Sequence, residues 1–264
     1  MRYANKNILV TGAGGGIGRA LCQAFAAEGA VVLAADVDQA KAMQTAAQIM
    51  SLGQVAHALA FDVGDEMSVK TAIEQALGLV GVIDVLINNA GIAYGDIYQL
   101  TAMPAERLKR LFEVNVFGML FCARACCESL ASRGGVILNM SSMASYMANG
   151  AYSLSKAAVN NLTVVLADEL ASQGIRVNGI APGLMDSPAA QHNVDAAVQV
   201  SIRQAQLVQR QGTMDDVAQL ALFLASDQAG FISGQTVLVD GGYLRHSAAA
   251  IPVPVGLHPA AQSC

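Results

Sequence analysis

The chain has 264 residues, a formal net charge of −5 and an isoelectric point near 5.3, an acidic balance that excludes the basic face nucleic-acid binding needs. Hydrophobic residues make up 54% and charged residues 13%, enough apolar material for the core of one large α/β domain and little for long solvated arms. No basic leader followed by an apolar run opens the chain, and no uninterrupted apolar stretch reaches the length of a membrane span, so a cytoplasmic protein with no membrane partner is expected.

Asn7-Ile8-Leu9-Val10 reads as a short apolar strand, followed at once by Thr11-Gly12-Ala13-Gly14-Gly15-Gly16-Ile17-Gly18 and a helical pattern from Arg19 to Glu28. Strand, glycine-rich turn and helix are the context of a dinucleotide loop. Missing side chains let the backbone approach a pyrophosphate, and the helix N-terminus offers free N–H groups. A tight βα turn without ligand is the bland alternative, but it needs fewer glycines than this. The second strand, Val31 to Ala35, ends at Asp36, 18 residues beyond Gly18 and close to the spacing of an acid that binds a ribose 2′-hydroxyl. A carboxylate there repels a 2′-phosphate, Val37 follows it, and no Arg or Lys lies within the glycine loop. NAD is therefore expected over NADP. Asp36 also suits a cap of the next helix, Asp38 to Met50.

A third strand, Val55 to Phe61, closes on Asp62-Val63; a helix from Asp65 to Leu77 and a strand from Val82 to Ile87 follow. Asn88-Asn89-Ala90-Gly91 then makes a small polar turn at a strand's carboxyl end, where open parallel sheets bind ligands. Residues 104–132 form one long helical region with Asn115 embedded in apolar neighbours, a costly place for an amide unless it has partners or a purpose. Gly135 to Met140 is the fifth strand, with Ser141-Ser142 at its end. A loop over 143–150 leads into a helix that carries Tyr152 and Lys156 and runs to about Gln173.

Tyr152 and Lys156 stand four residues apart, so on a helix both leave the same face. A phenol titrates near ~10, too high to exchange protons readily at neutral pH. An ammonium one turn away favours the phenolate, which is the reason to pair these two residue types in proton transfer. A sixth strand, Ile175 to Ala181, ends at Pro182-Gly183. The polar stretch 184–213 reads as a mobile helical insertion, Asp215 to Ala225 as a helix, and Thr236 to Val239 as a last strand before Asp240-Gly241-Gly242. The tail 246–264 has no periodicity and is expected to be loosely ordered or to lie on a neighbouring subunit. The cysteines at 22, 122, 126, 127 and 264 have no metal-ligand spacing, their odd number suits a reducing compartment, and the histidines at 57, 192, 246 and 258 are scattered, so no metal is expected. Alternating strands and helices imply a doubly wound α/β fold, a single domain over 1–245 with about seven parallel strands and helices on both faces.

From about residue 5 to 245 the chain resembles the short-chain dehydrogenase/reductase family. Thr11 to Gly18 matches the family's coenzyme loop (Gly12, Gly16, Ile17 and Gly18), Asp62-Val63 the pair beside the adenine, and Asn88-Asn89-Ala90-Gly91 its NNAG turn, of which Asn89, Ala90 and Gly91 are implied to touch the cofactor. Pro182-Gly183 matches the turn at the nicotinamide. Asn115, a serine after the fifth strand, Tyr152 and Lys156 match the catalytic set. Ser187 stands where the family usually places a threonine on the nicotinamide amide. From Ser142 to Tyr152 is 10 residues, shorter than in most members. The strand end selects Ser142, with Ser141 and Ser145 still possible.

The resemblance implies reversible oxidation of a secondary alcohol to a ketone. Tyr152 is the proton carrier, Lys156 lowers its pKa and binds the nicotinamide ribose, Ser142 orients the substrate oxygen, Asn115 holds a water behind Lys156, and 184–213 closes over substrate. Met143, Tyr146, Met147 and Met185 suggest a medium-sized, partly apolar substrate, with Arg203 and Arg210 a mild counterweight. A 3-oxoacyl-thioester reductase and a non-catalytic NAD-binding sensor are the alternatives; Asp36 counts against the first, the retained Tyr-Lys pair against the second. By analogy with relatives, a homotetramer is the first expectation and a dimer the second.

Overall fold

The computed structural model describes residues 1–94, 99–187 and 194–245; the tail 246–264 lies outside them. Seven parallel strands form one sheet: β1 Asn7–Thr11, β2 Val31–Asp36, β3 Ala56–Ala60, β4 Val85–Asn88, β5 Val136–Met140, β6 Arg176–Pro182 and β7 Thr236–Val239. Their order is β3-β2-β1-β4-β5-β6-β7, so the chain reverses direction across the sheet between β1 and β4. In an open parallel sheet that reversal leaves a crevice at the carboxyl ends of the two strands. The glycine loop and the Asn89 turn lie on either side of it.

Side-chain alternation distributes each strand between two cores. Ile8 and Val10 of β1 pack with α1 (Gly16–Ala27) and α8 (Met214–Leu224), while Leu9 faces α3 (Glu66–Val80) and α5 (Gly118–Ala131). Each such fully buried aliphatic side chain contributes roughly 1.5–3 kcal/mol. α2 (Gln39–Ser51) lies on the first face and α6 (Gly150–Glu169) on the second. Asp38 caps α2, accepting from the Lys41 amide at 3.2 Å, so the capping role considered for Asp36 belongs to its neighbour.

The long helix expected over 104–132 is broken. α4 spans Ala105–Phe112, a π turn covers Glu113–Phe117, and α5 resumes at Gly118. Such single π turns within a helix are rare and gather at functional sites, and Asn115 sits at the centre of this one. By length and apolarity alone Ala105–Ala131 could cross a bilayer, but its apolar face lies in the second core, where Cys122 and Cys126 are buried with Leu130. Burial pushes the Cys122 thiol up to about 12, leaving it a packing residue.

The stretch 184–213 is less helical than its composition implies. Among its described residues one helix forms, α7 (Ala196–Ala205), capped by Asp195 accepting from the Ala197 amide at 2.8 Å; 188–193 lie outside the described residues. Its base is fastened where Met185 pairs with Gly212 and the Asp186 amide donates to the Gly212 carbonyl at 2.7 Å.

Candidate active site

At the crevice, β1 and β4 are stitched by their own end residues. Thr11 Oγ1 accepts from the amides of Asn89 and Ala90, both at 3.1 Å. Asn89 Nδ2 donates to the carbonyls of Thr11 at 2.9 Å and Gly12 at 3.1 Å. Asn88 instead points into the sheet, donating to Asn139 Oδ1 at 2.9 Å. Of the adjacent asparagines, only the second serves the crevice.

Gly12 turns with φ of 65° and has no room for a Cβ, which would lie 2.8 Å from the Ala90 Cα. A Cβ on Gly18 would run into the Gly12 carbonyl oxygen. At Gly15 and Gly16 the opposite holds: added carbons would meet nothing within 4 Å. α1 starts there with no side-chain cap and no acidic residue in its first turn. The first-turn amides have no side-chain partner, over open space, as an anion-binding cradle requires. Ile17 is half-buried against the first core.

Beside the cradle a cavity of about 150 Å³ is lined by Asp36, Val37, Phe61, Asp62, Val63 and Arg110, among others. Asp36 Oδ2 accepts from the Gly14 amide at 2.8 Å and Oδ1 from the Asp38 amide at 2.9 Å. Each oxygen keeps a further lone pair. Asp62 accepts from the Gly64 amide at 2.9 Å and from Arg110 at 2.6 Å. Arg110 was not legible as a site residue, because its partner is 48 positions away in sequence and nothing in α4 marks it.

On the other side of the crevice, β5 delivers the serines and α6 the Tyr-Lys pair. Lys156 is 3% exposed, donates from Nζ to the Met140 carbonyl at 2.8 Å, and lies 5.7 Å from the Tyr152 ring centroid. Burial without a carboxylate partner lowers its pKa to about 8. Tyr152 is shifted upward by burial, and the hydrogen bond from Ser142 pulls the other way. In the chain alone the ammonium engages the Met140 carbonyl and faces the Tyr152 ring, and Ser142 also favours the phenolate.

The three candidate serines differ in what their hydroxyls bond. Ser141 is buried and bonds Asn160 Oδ1 at 2.6 Å, and Ser145 bonds the Ser142 carbonyl at 2.7 Å; neither hydroxyl is turned to Tyr152. Ser142 accepts from the Ala144 amide at 3.2 Å, and it alone of the three draws the Tyr152 pKa downward.

Asn115 is wholly buried. Its Oδ1 accepts from the Ile92 amide at 2.8 Å, and Nδ2 donates to the Ile92 carbonyl at 3.0 Å and Ser155 Oγ at 3.1 Å. It thereby ties the turn after β4 to α6. A Cβ on Gly91 would sit 3.3 Å from Asn115 Oδ1 and 3.4 Å from Lys156 Nζ, so the glycine keeps a gap between the two. Pro182 ends β6, and Gly183 donates its amide to the Val239 carbonyl at 2.8 Å, tying β6 to β7; Ser187 is half-buried just beyond. Arg210, weighed as a substrate contact, is instead taken by Asp216 at 2.5 and 2.7 Å.

Residues 12–244 match the family model described as enoyl-(acyl carrier protein) reductase. The chain is also 40% identical over 247 residues to an uncharacterized oxidoreductase of Mycobacterium tuberculosis, covering 93% of this chain and 100% of that one. It belongs to the short-chain dehydrogenase/reductase family. Among solved members of this family, a 7α-hydroxysteroid dehydrogenase complexed with NADH and 7-oxo glycochenodeoxycholic acid superposes with a TM-score of 0.87 at 34% identity, covering 91% of this chain and 95% of that one. A gluconate 5-dehydrogenase from Burkholderia cenocepacia, in complex with NADP and tartrate, also gives 0.87, at 33% identity over 93% and 98% of the two chains. The short-chain dehydrogenase/reductase fold assigned from sequence is therefore the fold observed.

Proposed function

We propose that this chain interconverts a secondary alcohol and a ketone with NAD as hydride carrier. The observation that carries the reading is the buried Lys156 Nζ 5.7 Å from the Tyr152 ring centroid on α6, beside Ser142 at the carboxyl edge of the sheet, with the uncapped α1 cradle alongside. The cradle fits a dinucleotide: Gly12, Gly16, Ile17 and Gly18 form the pyrophosphate turn, Asp36 and Val37 border the ribose, and Asp62 and Val63 the adenine. Asn89, Ala90 and Gly91 wall the crevice, with Pro182, Gly183 and Ser187 at the nicotinamide end. When bound, the nicotinamide supplies the hydride chemistry.

The chain's own residues handle the proton. In reduction Tyr152 donates its hydroxyl proton to the substrate oxygen, and in oxidation its phenolate removes one. Ser142 donates to the same oxygen and stabilises charge that develops there. Lys156 supplies positive charge behind the ring and binds the ribose. The gap at Gly91, with one lone pair of Asn115 Oδ1 on its border, suits a water that passes the proton on from Lys156.

NAD is preferred over NADP because a carboxylate at Asp36 repels a 2′-phosphate. Half-buried Met143 and Met147 and exposed Tyr146 beside Ser142 suit a medium-sized, partly apolar substrate. α7 and its flanks close over it. The reading includes a cytoplasmic protein and a homo-oligomer, a tetramer before a dimer; exposed Phe117, Leu154, Val164 and Val165 on the π turn and α6 supply apolar surface for pairing. The test is an absorbance assay with NAD and NADP on polyols, hydroxy acids, hydroxysteroids and a 3-oxoacyl thioester. NAD-linked turnover of a secondary alcohol is expected. Reduction of the thioester alone, or no turnover at all, sinks the reading.

A further inference from the structure

Asn160 is one helical turn beyond Lys156 and two beyond Tyr152, on the face of α6 that meets the end of β5. Its amide grips the serine loop at two points. Oδ1 accepts from Ser141 Oγ at 2.6 Å, and Nδ2 donates to Ser145 Oγ at 2.9 Å. Ser145 has one hydroxyl proton, and that proton goes to the Ser142 carbonyl at 2.7 Å, so Ser145 must receive from Asn160. The Ser145 amide donates to the same carbonyl at 3.0 Å, and the Ser141 amide donates to Ile180 of β6 at 2.7 Å.

Ser142 is thus held from both sides in sequence, by a residue that touches neither its hydroxyl nor Tyr152. The requirement is specific: one short side chain must present an acceptor to Ser141 and a donor to Ser145 together. A carboxamide does both at short reach and without a charge. Leucine fills a similar volume and does neither. The downstream loop adds a 3-10 turn over Met143–Tyr146 and a bond from the Asn149 amide to Ser153 Oγ at 3.0 Å, neither of which holds Ser141.

We infer that Asn160 is the positioning residue of the site, fixing the Ser142 hydroxyl against the Tyr152 phenol by fastening Ser141 and Ser145 to the helix that carries Tyr152. The inference rests on the alcohol–ketone reading. The experiment is a double-mutant cycle between Asn160→Leu and Ser142→Ala, on whichever alcohol the wild-type protein oxidises fastest, with NADH affinity measured by cofactor fluorescence. A small misplacement at a reacting centre costs on the order of 10- to 100-fold, so Asn160→Leu should lower kcat by about tenfold or more. NADH affinity should stay within about twofold. In the Ser142→Ala background the same change should cost nothing further, because no hydroxyl remains to be aimed. A merely structural asparagine gives the same loss in both backgrounds.

If Asn160→Leu does not fold, Asn160→Asp serves. It keeps the acceptor for Ser141, loses the donor to Ser145, and should show a smaller loss that also vanishes with Ser142→Ala. Wild-type turnover with kcat unchanged in the variant, or with equal losses in both backgrounds, overturns the inference alone. No wild-type turnover on any alcohol overturns the underlying reading and this one with it.

Discussion

Ser142, just past the end of β5, stands ten positions before Tyr152 in the first turn of α6 and pulls the phenol toward its ionised form. Ser142 Oγ accepts from the Ala144 amide, so its single proton is free to go to the tyrosine oxygen. That proton favours the phenolate while burial favours the phenol, and burial dominates. At neutral pH Tyr152 is therefore loaded as an acid.

The first prediction follows from that balance. Ketone reduction should be fastest at neutral or lower pH, and alcohol oxidation should rise into the alkaline range as Tyr152 loses its proton. Ser142→Ala should lower kcat about 100-fold or more and move the alkaline limb of oxidation to higher pH, whereas Ser141→Ala leaves that limb in place. Steady-state pH profiles of the two variants check both statements, and the reverse ranking transfers the role to Ser141.

Tyr152→Phe removes the proton carrier while keeping the ring beneath Lys156. Turnover should fall by a factor of about 1,000 or more, with NADH affinity within about threefold of wild type by cofactor fluorescence. A variant that still turns over freely would leave the site without a known acid.

Lys156 gives a stability signature of its own. Its pKa is lowered to about 8 in the fold, so between that value and its ordinary one the unfolded chain binds more protons than the folded chain. The burial penalty is fully present below pH 8 and is relieved as pH rises toward 10. The cofactor-free protein should gain thermal stability over that window relative to Lys156→Met, on the order of 5 °C for a chain of this size. Parallel pH dependence of Tm in the two proteins would show that the lysine is not the titrating group.

Asp36→Asn tests the cofactor choice. The amide keeps the size of the side chain and loses the charge, so NADP should gain at least about tenfold against NAD in kcat/KM. Unchanged discrimination would assign the reading of the ribose to another group.

Gly18→Ala tests the cradle by packing alone. The added methyl meets the Gly12 carbonyl oxygen and lies 2.6 Å from Asn89 Nδ2, so the stitch between β1 and β4 must open. Cofactor affinity should drop by at least about tenfold and stability by roughly 1–3 kcal/mol; a variant with wild-type affinity would show that the loop tolerates a side chain there.

The local patterns were legible without coordinates. Apolar strands separated by helical periods dictated seven parallel strands, because two-sided burial demands continuous apolar runs, and the glycine loop, Asp36, Asn89, Tyr152 and Lys156 carry their chemistry in residue type and short-range spacing. What only the tertiary structure decided depends on groups distant in sequence or on rotamers. The partners of Asn115 at the π turn are Ile92 and Ser155, 23 and 40 positions away in sequence. Which serine hydroxyls are already engaged follows from Asn160, which bonds both Ser141 and Ser145. The orientation of Lys156 toward Met140 follows from the need of a buried ammonium for an acceptor. Sequence spacing sets which side chains share a face, but a buried polar group takes whichever partner the packed fold brings within reach.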